Sequence, residues 1–218
     1  MAYGAYKFFT FVIFLFAYPL LRLYSILPCR HSQSMAERLG VFPKRPAQKR
    51  NSRPLVWMHA VSVGEAGSAI AIIKSLKKES PETSFILSTA TFYGHQFAKE
   101  RINSQAACIY APIDFPFSVK SALNAFKPNA LVCLETEIWP NFLVAAKRMG
   151  IRTAIVNGRI SSRSVKRYLK IRPLVKEALR HVDAFSMIRE EDSKRIKKML
   201  TGLNQGCINI FCQHGSIC

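Results

Sequence analysis

Three stretches of the 218-residue chain place carboxylates, hydroxyls and guanidiniums where apolar runs give way to helical patterns: HAVSVGE at 59–65, LETEIWPN at 134–141 and NGRISSRS at 157–164. In the first, Gly64 allows a tight turn, and Glu65 on the first helical turn is held ionised by the free amides and the helix dipole. An ionised carboxylate projecting into a cleft can act as a general base toward a sugar or other hydroxyl, although spacing alone favours a plain helix-capping role. In the second, Glu135 and Glu137 end an apolar run ahead of Trp139-Pro140. Strand geometry puts both on one face, where each raises the other's pKa and a basic neighbour is expected. Solvated acids at a strand end fit that spacing as well as a functional pair does. In the third, Arg159, Ser161, Arg163 and Ser164 surround a helix start, where guanidinium forks and free backbone amides both favour phosphate or carboxylate. The helix that follows adds Lys166, Arg167, Lys170, Arg172, Lys176 and Arg180 against a single acid, Glu177. That imbalance favours a phosphate-rich partner over a merely solvated face.

The elements that must position these residues alternate regularly. LVWMHAV at 55–61 precedes AGSAIAIIKSLKK, SFILSTA at 84–90 precedes FYGHQFAKERI, and CIYAPI at 108–113 precedes PFSVKSALNAF. ALVCLE at 130–135 then precedes IWPNFLVAAKRMG, TAIVNG at 153–158 precedes one long basic helix to about residue 181, and AFSMI at 184–188 precedes EEDSKRIKKML. Such strand-helix units with buried-looking strands predict an α/β fold with a doubly wound parallel sheet over 54–200. Ligands bind such sheets beyond the carboxyl ends of the strands. Residues 62–65, 91–94, Asp114, 135–137 and 157–164 should therefore converge on one rim. The single glycine in the first turn matches neither a dinucleotide fingerprint nor a P-loop, so nucleotide binding by this domain finds no support.

Composition sets the outer bounds. With 49% hydrophobic residues the chain is no disordered basic tail, yet 32 Lys+Arg against 13 Asp+Glu give a net charge of +19 and a strongly positive surface. Residues 8–21, FFTFVIFLFAYPLL, carry no charge, and the apolar character resumes beyond Arg22. If Arg22 snorkels, residues 7–28 just cross a bilayer; otherwise the segment lies shallow in one leaflet. Either way residues 1–28 read as a membrane anchor, with no signal-peptidase motif behind them. Arg30, Arg38, Lys44, Arg45, Lys49, Arg50 and Arg53 follow, with Glu37 the one acid, a juxtamembrane cluster expected on the cytoplasmic side and attracted to anionic headgroups. Residues 29–53 read as a basic linker, overlapping the polar, proline-rich stretch PKRPAQKRNSRP at 43–54. The cysteines at 29, 108, 133, 207, 212 and 218 show no zinc-site spacing, and Cys108 and Cys133 read as small buried hydrophobes.

Taken together and in order behind an apolar N-terminus, the three motifs resemble the Kdo (3-deoxy-D-manno-octulosonic acid) transferases of bacterial lipid A assembly. The similarity runs to about residue 200 and includes the RLG at 38–40, the APID at 111–114 and the Glu190-Glu191-Asp192 element. The resemblance implies the Rossmann-like, acceptor-binding N-terminal domain of a GT-B glycosyltransferase. Such an enzyme transfers Kdo with inversion from CMP-Kdo to a tetra-acylated, bis-phosphorylated lipid A precursor, without a metal or other cofactor. By motif match Glu65 would be the base, Glu135 the acid that stabilises the transition state, and Gly64, Arg159, Ser161 and Arg163 would lie in the acceptor region. The implied location is the cytoplasmic side of the cell inner membrane.

A family member continues for about as many residues again. Here Gly215-Ser216 resembles the start of the interdomain segment, but Cys218 stands where a catalytic lysine is expected, so 201–218 reads as a divergent, truncated end. On that reading CMP-Kdo is a partner only if a second polypeptide supplies the donor domain. The competing reading is a catalytically inactive, membrane-bound domain that holds anionic lipid. Nucleic-acid binding rests on charge alone, without interleaved aromatics or a recognised motif, and the anchor argues against it.

Overall fold

The computed structural model describes residues 2–26, 32–42, 53–201 and 209–212. Several residues singled out above lie outside them: Cys29, Arg30, Lys44, Arg45, Lys49, Arg50, Cys207, Gly215, Ser216 and Cys218. Alternation of branched apolar runs with helical segments produces the expected units: β1 (Leu55–Ala60), α3 (Val63–Glu79), β2 (Ser84–Thr89), α4 (Phe92–Arg101), β3 (Ala107–Tyr110), α5 (Pro116–Phe126), β4 (Ala130–Leu134), α6 (Pro140–Arg148) and β5 (Arg152–Gly158). They continue with α7 (Ser162–Lys170), α8 (Arg172–Leu179), β6 (Ala184–Met187), α9 (Glu190–Leu200) and β7 (Asn209–Cys212), behind the N-terminal α1 (Ala2–Ile26) and α2 (Ser32–Arg38). The strands form one 7-stranded sheet in the order β3-β2-β1-β4-β5-β6-β7. Every pairing is parallel.

Because successive strand side chains point to opposite faces, the sheet has two cores. Trp57, Ile86, Leu131, Ile155 and Phe185 pack under α5, α6, α8 and α9, while Met58, Ala60, Phe85 and Leu87 pack under α3 and α4. Buried cysteines behave as expected for small hydrophobes: Cys133 is fully enclosed and burial pushes its thiol up to about 12. Cys108 is only half-buried, with its thiol raised to about 11.

Two boundaries differ from the sequence reading. The long basic helix expected to run to residue 181 breaks at Ile171, where Arg172-Pro173 opens α8, since proline is accommodated in a first helical turn and not in an interior. The sheet also continues past residue 200, because β7 pairs with β6 from Asn209 to Cys212.

The apolar N-terminal segment is one 25-residue helix with Pro19 inside it. One stripe of it, Tyr3, Tyr6, Thr10, Phe14 and Tyr18, faces the domain at helical spacing, and Phe14 is buried between Phe115 and Phe117. Much of the rest of its surface, including Phe8, Phe11, Leu15, Phe16 and Leu20, is exposed. A polar clamp fixes the docked stripe. The Tyr6 hydroxyl donates to Asp114 Oδ2 at 2.8 Å, the Tyr3 hydroxyl to Asn141 Oδ1 at 3.2 Å, and Asn141 Nδ2 to Thr10 Oγ1 at 3.2 Å. Asp114 also accepts from the backbone N–H of Asn141 and Phe142 at 3.1 and 2.9 Å, and so caps α6, whose own N-cap Trp139 offers no side-chain acceptor.

Burial outweighs these hydrogen bonds and raises the Asp114 carboxyl from 3.8 to about 6. The folded chain then keeps a proton that the unfolded chain releases, so this contribution to stability is full below about pH 4 and is lost as pH rises through 6. The interval from 3.8 to about 6 corresponds to about 3 kcal/mol. Denaturant titrations of the wild type and Asp114→Asn between pH 4 and 7.5 should show the wild-type advantage shrinking by about that amount as pH rises. A gap independent of pH would mean that Asp114 is ionised throughout.

Candidate active site at the carboxyl rim

The sheet order turns between β1 and β4: from β1 the chain first builds outward through β2 and β3, then crosses back to β4. That switch point opens a crevice beyond the strand ends. Glu65 follows β1 and Glu135 follows β4, so the two candidate acids stand on its two sides.

Glu65 is 5% exposed on the first turn of α3. Its Oε2 accepts the Val61 N–H at 2.8 Å and its Oε1 the Ser62 hydroxyl at 3.0 Å, while the Glu65 N–H points to Ser62 Oγ at 3.4 Å. Ser62 and Glu65 thus form a reciprocal capping box, the local role that spacing favoured. The box fixes the carboxylate on the crevice floor and leaves each oxygen a further lone pair. Gly64 is a different matter from what its position implied. It has no left-handed φ, and a Cβ there would meet nothing nearer than Ser62 Oγ at 4.0 Å. The turn does not require a glycine; what the glycine leaves is open room over exposed backbone beside Glu65. Gly64→Ala should fold with unchanged or slightly raised stability, by up to about 1 kcal/mol from helix propensity. A fall in thermal midpoint would show that the turn needs the glycine after all.

The expectation that Glu135 and Glu137 share a strand face is corrected by the backbone. β4 ends at Leu134, and Glu135 lies in the left-handed region with φ 56°, so the pair projects from a turn. The conformation costs roughly 1–2 kcal/mol for a residue with a Cβ. It is held by the Glu135 N–H donating to Val156 O at 2.9 Å. Asn157, one strand over, is also left-handed with φ 58°. The three acids feel one another. Burial raises the Glu135 carboxyl, the Glu65 charge adds to this, and Arg159 pulls it back. Burial likewise raises Glu137, with Glu65 and Glu135 adding and Arg167 opposing. The basic neighbours expected for the pair are therefore Arg159 and Arg167.

Arg159, Ser161 and Arg163 line the adjacent part of the rim and are exposed. Ser161 caps α7 by accepting the Ser164 N–H at 3.1 Å. No residue of α7 is buried, so its cationic face stands free in solvent. The motifs' spacing gave no sign of the positioning contacts that several residues make. Buried Asp192 accepts the Ile160 N–H at 3.0 Å, and Arg195, ion-paired to it at 3.2 Å, donates to Ile160 O at 2.6 Å, pinning the Arg159–Ser162 turn from α9. Thr136 Oγ1 donates to Arg159 O, and the Tyr168 hydroxyl donates to Thr136 O at 3.1 Å, tying the two acidic and basic loops together. Of the other rim residues, Thr91 caps α4 and donates to Val61 O at 3.1 Å, bracing the Glu65 turn. Asp114 is at the rim in sequence but is turned into the clamp on α1 and α6. His59 is enclosed, its ring Nδ1 3.0 Å from Ser88 Oγ, and burial lowers it to about 4, so it is a neutral wall residue. Among the described residues no three His, Cys, Asp or Glu are grouped to hold a metal ion.

Residues 33–210 match the family model described as 3-deoxy-D-manno-octulosonic-acid transferase (kdotransferase). The 3-deoxy-D-manno-octulosonic acid transferase of Chlamydia pneumoniae is 31% identical over 183 residues, 84% of this chain and 41% of that protein. The protein of the same name from Haemophilus influenzae is 31% identical over 150 residues, 69% of this chain and 34% of that protein. The chain thus spans well under half the length of these relatives. Among solved structures, MurG of Acinetobacter baumannii aligns with a TM-score of 0.46 at 13% identity, over 62% of this chain and 41% of that one.

Proposed function

The chain belongs to the Kdo transferase family, and from that membership we propose that it is the acceptor-binding part of an enzyme that transfers Kdo from CMP-Kdo to a lipid A precursor in lipopolysaccharide synthesis. The observation that carries the reading is the placement of Glu65 and Glu135 on the two sides of the β1/β4 switch point, with the Arg159 turn beside them. Glu65, held by its capping box, takes the proton of the acceptor hydroxyl as that oxygen bonds to the anomeric carbon of Kdo. The bond from that carbon to the CMP phosphate oxygen breaks with its electron pair, and CMP departs from the opposite face, which inverts the centre. Glu135, with Arg159 opposing the rise that burial and Glu65 impose on its carboxyl, offsets the positive charge that develops on the sugar. Arg159, Ser161 and Arg163 receive a phosphate of the acceptor, and open backbone at Gly64 lets the sugar approach Glu65.

Membrane association belongs to the same proposal. The stripe of α1 from Tyr3 to Tyr18 covers about 22 Å and is engaged with the domain, while the opposite side is apolar and exposed. A helix docked in this way lies in the interface plane with its free face in the acyl layer. The rim would thereby face an acceptor that never leaves the cytoplasmic leaflet.

The test is a transfer assay with CMP-Kdo and a tetra-acylated lipid A precursor, with and without a separately produced donor-binding half, following the lipid by mass. A gain of one or more Kdo units supports the reading. Retention of the lipid with no gain under either condition would instead favour an inactive anionic-lipid-binding domain.

A further inference from the structure

A second cationic feature lies where the docked α1 meets the outer side of α5 and α6, on the face of the sheet opposite α3. A cavity of about 360 Å³ opens there, with Tyr3, Lys7, Pro116, Lys120, Asn141 and Arg148 in its wall. The three cations come from three different helices, α1, α5 and α6, so the cavity exists only while α1 is docked. Among the described residues none of the three is ion-paired to an acid. The Arg148 guanidinium sits 5.8 Å from the centre of the Tyr3 ring, which orients it without neutralising it. Pro116 opens α5, whose N-cap Phe115 supplies no side-chain bond, so the positive end of that helix adds to the field. Lys120 also borders a neighbouring concavity of about 470 Å³ walled by Phe117 and Ala125, and Phe8, next to Lys7, is exposed. Converging unpaired cations beside exposed apolar surface, on a helix whose free face is largely apolar, match the chemistry of one kind of ligand.

We propose that this cavity holds the phosphodiester headgroup of an anionic phospholipid, with its acyl chains against the exposed apolar surface of α1 and Phe117. The ligand is a constituent of the bilayer, bound on the helix-covered side of the sheet, separate from the acceptor at the carboxyl rim. The inference rests on the membrane-surface placement proposed above, and not on the transfer chemistry. A bound headgroup would bridge α1 to α5 and α6, completing in lipid what the Asp114–Asn141 clamp begins in protein.

Flotation with phosphatidylcholine vesicles, with and without phosphatidylglycerol, tests it on the whole chain. The double variant Lys120→Gln/Arg148→Gln should lose roughly 30-fold in affinity for the phosphatidylglycerol vesicles, from two basic side chains at the headgroup layer. Its binding to pure phosphatidylcholine vesicles should stay within about twofold of wild type, since the apolar face of α1 is untouched. The charge-matched control Lys74→Gln/Lys78→Gln, exposed on α3 across the sheet, should lose less than about threefold. Wild-type protein extracted in mild detergent should also retain one phospholipid by native mass spectrometry, and the Lys120/Arg148 variant none. Equal losses in the two double variants, or no retained lipid in the wild type, would reduce the cavity to a contribution to net charge and overturn the proposal. Failure of wild type to bind any vesicle would overturn it together with the membrane placement, whereas absence of Kdo transfer alone would leave it intact.

Discussion

Glu65→Gln should fold like the wild type and lose transfer by about 10²- to 10⁴-fold, the usual worth of a positioned general base. The two roles of Glu65 make the choice of substitution decisive. Its carboxylate accepts the Val61 N–H and the Ser62 hydroxyl. Glutamine keeps an oxygen for the cap and loses the basicity, so activity should fall while the thermal midpoint stays put. Glu65→Ala removes both. It leaves the Val61 N–H without its acceptor and should cost about 2 kcal/mol of stability as well as transfer. Transfer rates of the two variants with CMP-Kdo and the lipid acceptor, set beside their unfolding curves, separate the roles. Retained turnover in Glu65→Gln would remove it from the chemistry and leave only the capping box.

Asp114→Ala should be the most destabilising single change in the contact between α1 and the domain, by about 3 kcal/mol at pH 5, where the carboxyl keeps its proton. The Asn141 and Phe142 N–H groups and the Tyr6 hydroxyl would all lose their acceptor, and each buried donor left unpaired costs about 1–3 kcal/mol, part of it recovered by water. For a domain of this size that is a fall of roughly 6–12 °C in thermal midpoint. Because the same carboxylate caps α6 and receives Tyr6, the amides of α1 should exchange faster with solvent in this variant, alongside those of the first turn of α6. A drop in midpoint without faster exchange in α1 would show that Phe14 and its aromatic neighbours hold the helix unaided. Since α6 starts five residues beyond Glu135, loosening its first turn also loosens the loop that carries this acid.

Much of the architecture was legible in the chain because it follows from rules that act over a few residues. Branched apolar runs of strand length, each followed by a helical period, leave few outcomes besides a parallel sheet with its ligand rim at the strand ends. The rim positions of Glu65, Glu135 and Arg159 follow from that pattern, and the capping box of Ser62 and Glu65 is itself written at a spacing of three residues. Pro173 marks the break between α7 and α8, although the basic stripe runs on through it.

What tertiary structure alone decided joins residues that no local rule connects. Asp114 looked like a rim acid and is instead the hub of a clamp, because the crossing of α1 over α5 and α6 brings Tyr6 to it from 108 positions away. Asp192 pins the Arg159 turn from 32 residues downstream. The left-handed backbone at Glu135 depends on the bond to Val156 in the next strand, which exists only once the sheet has formed. Whether the apolar helix crosses or lies along a membrane is likewise not encoded in its hydropathy. Its composition allows both; what the fold adds is that Tyr3, Tyr6, Thr10 and Phe14 are the residues that meet the domain.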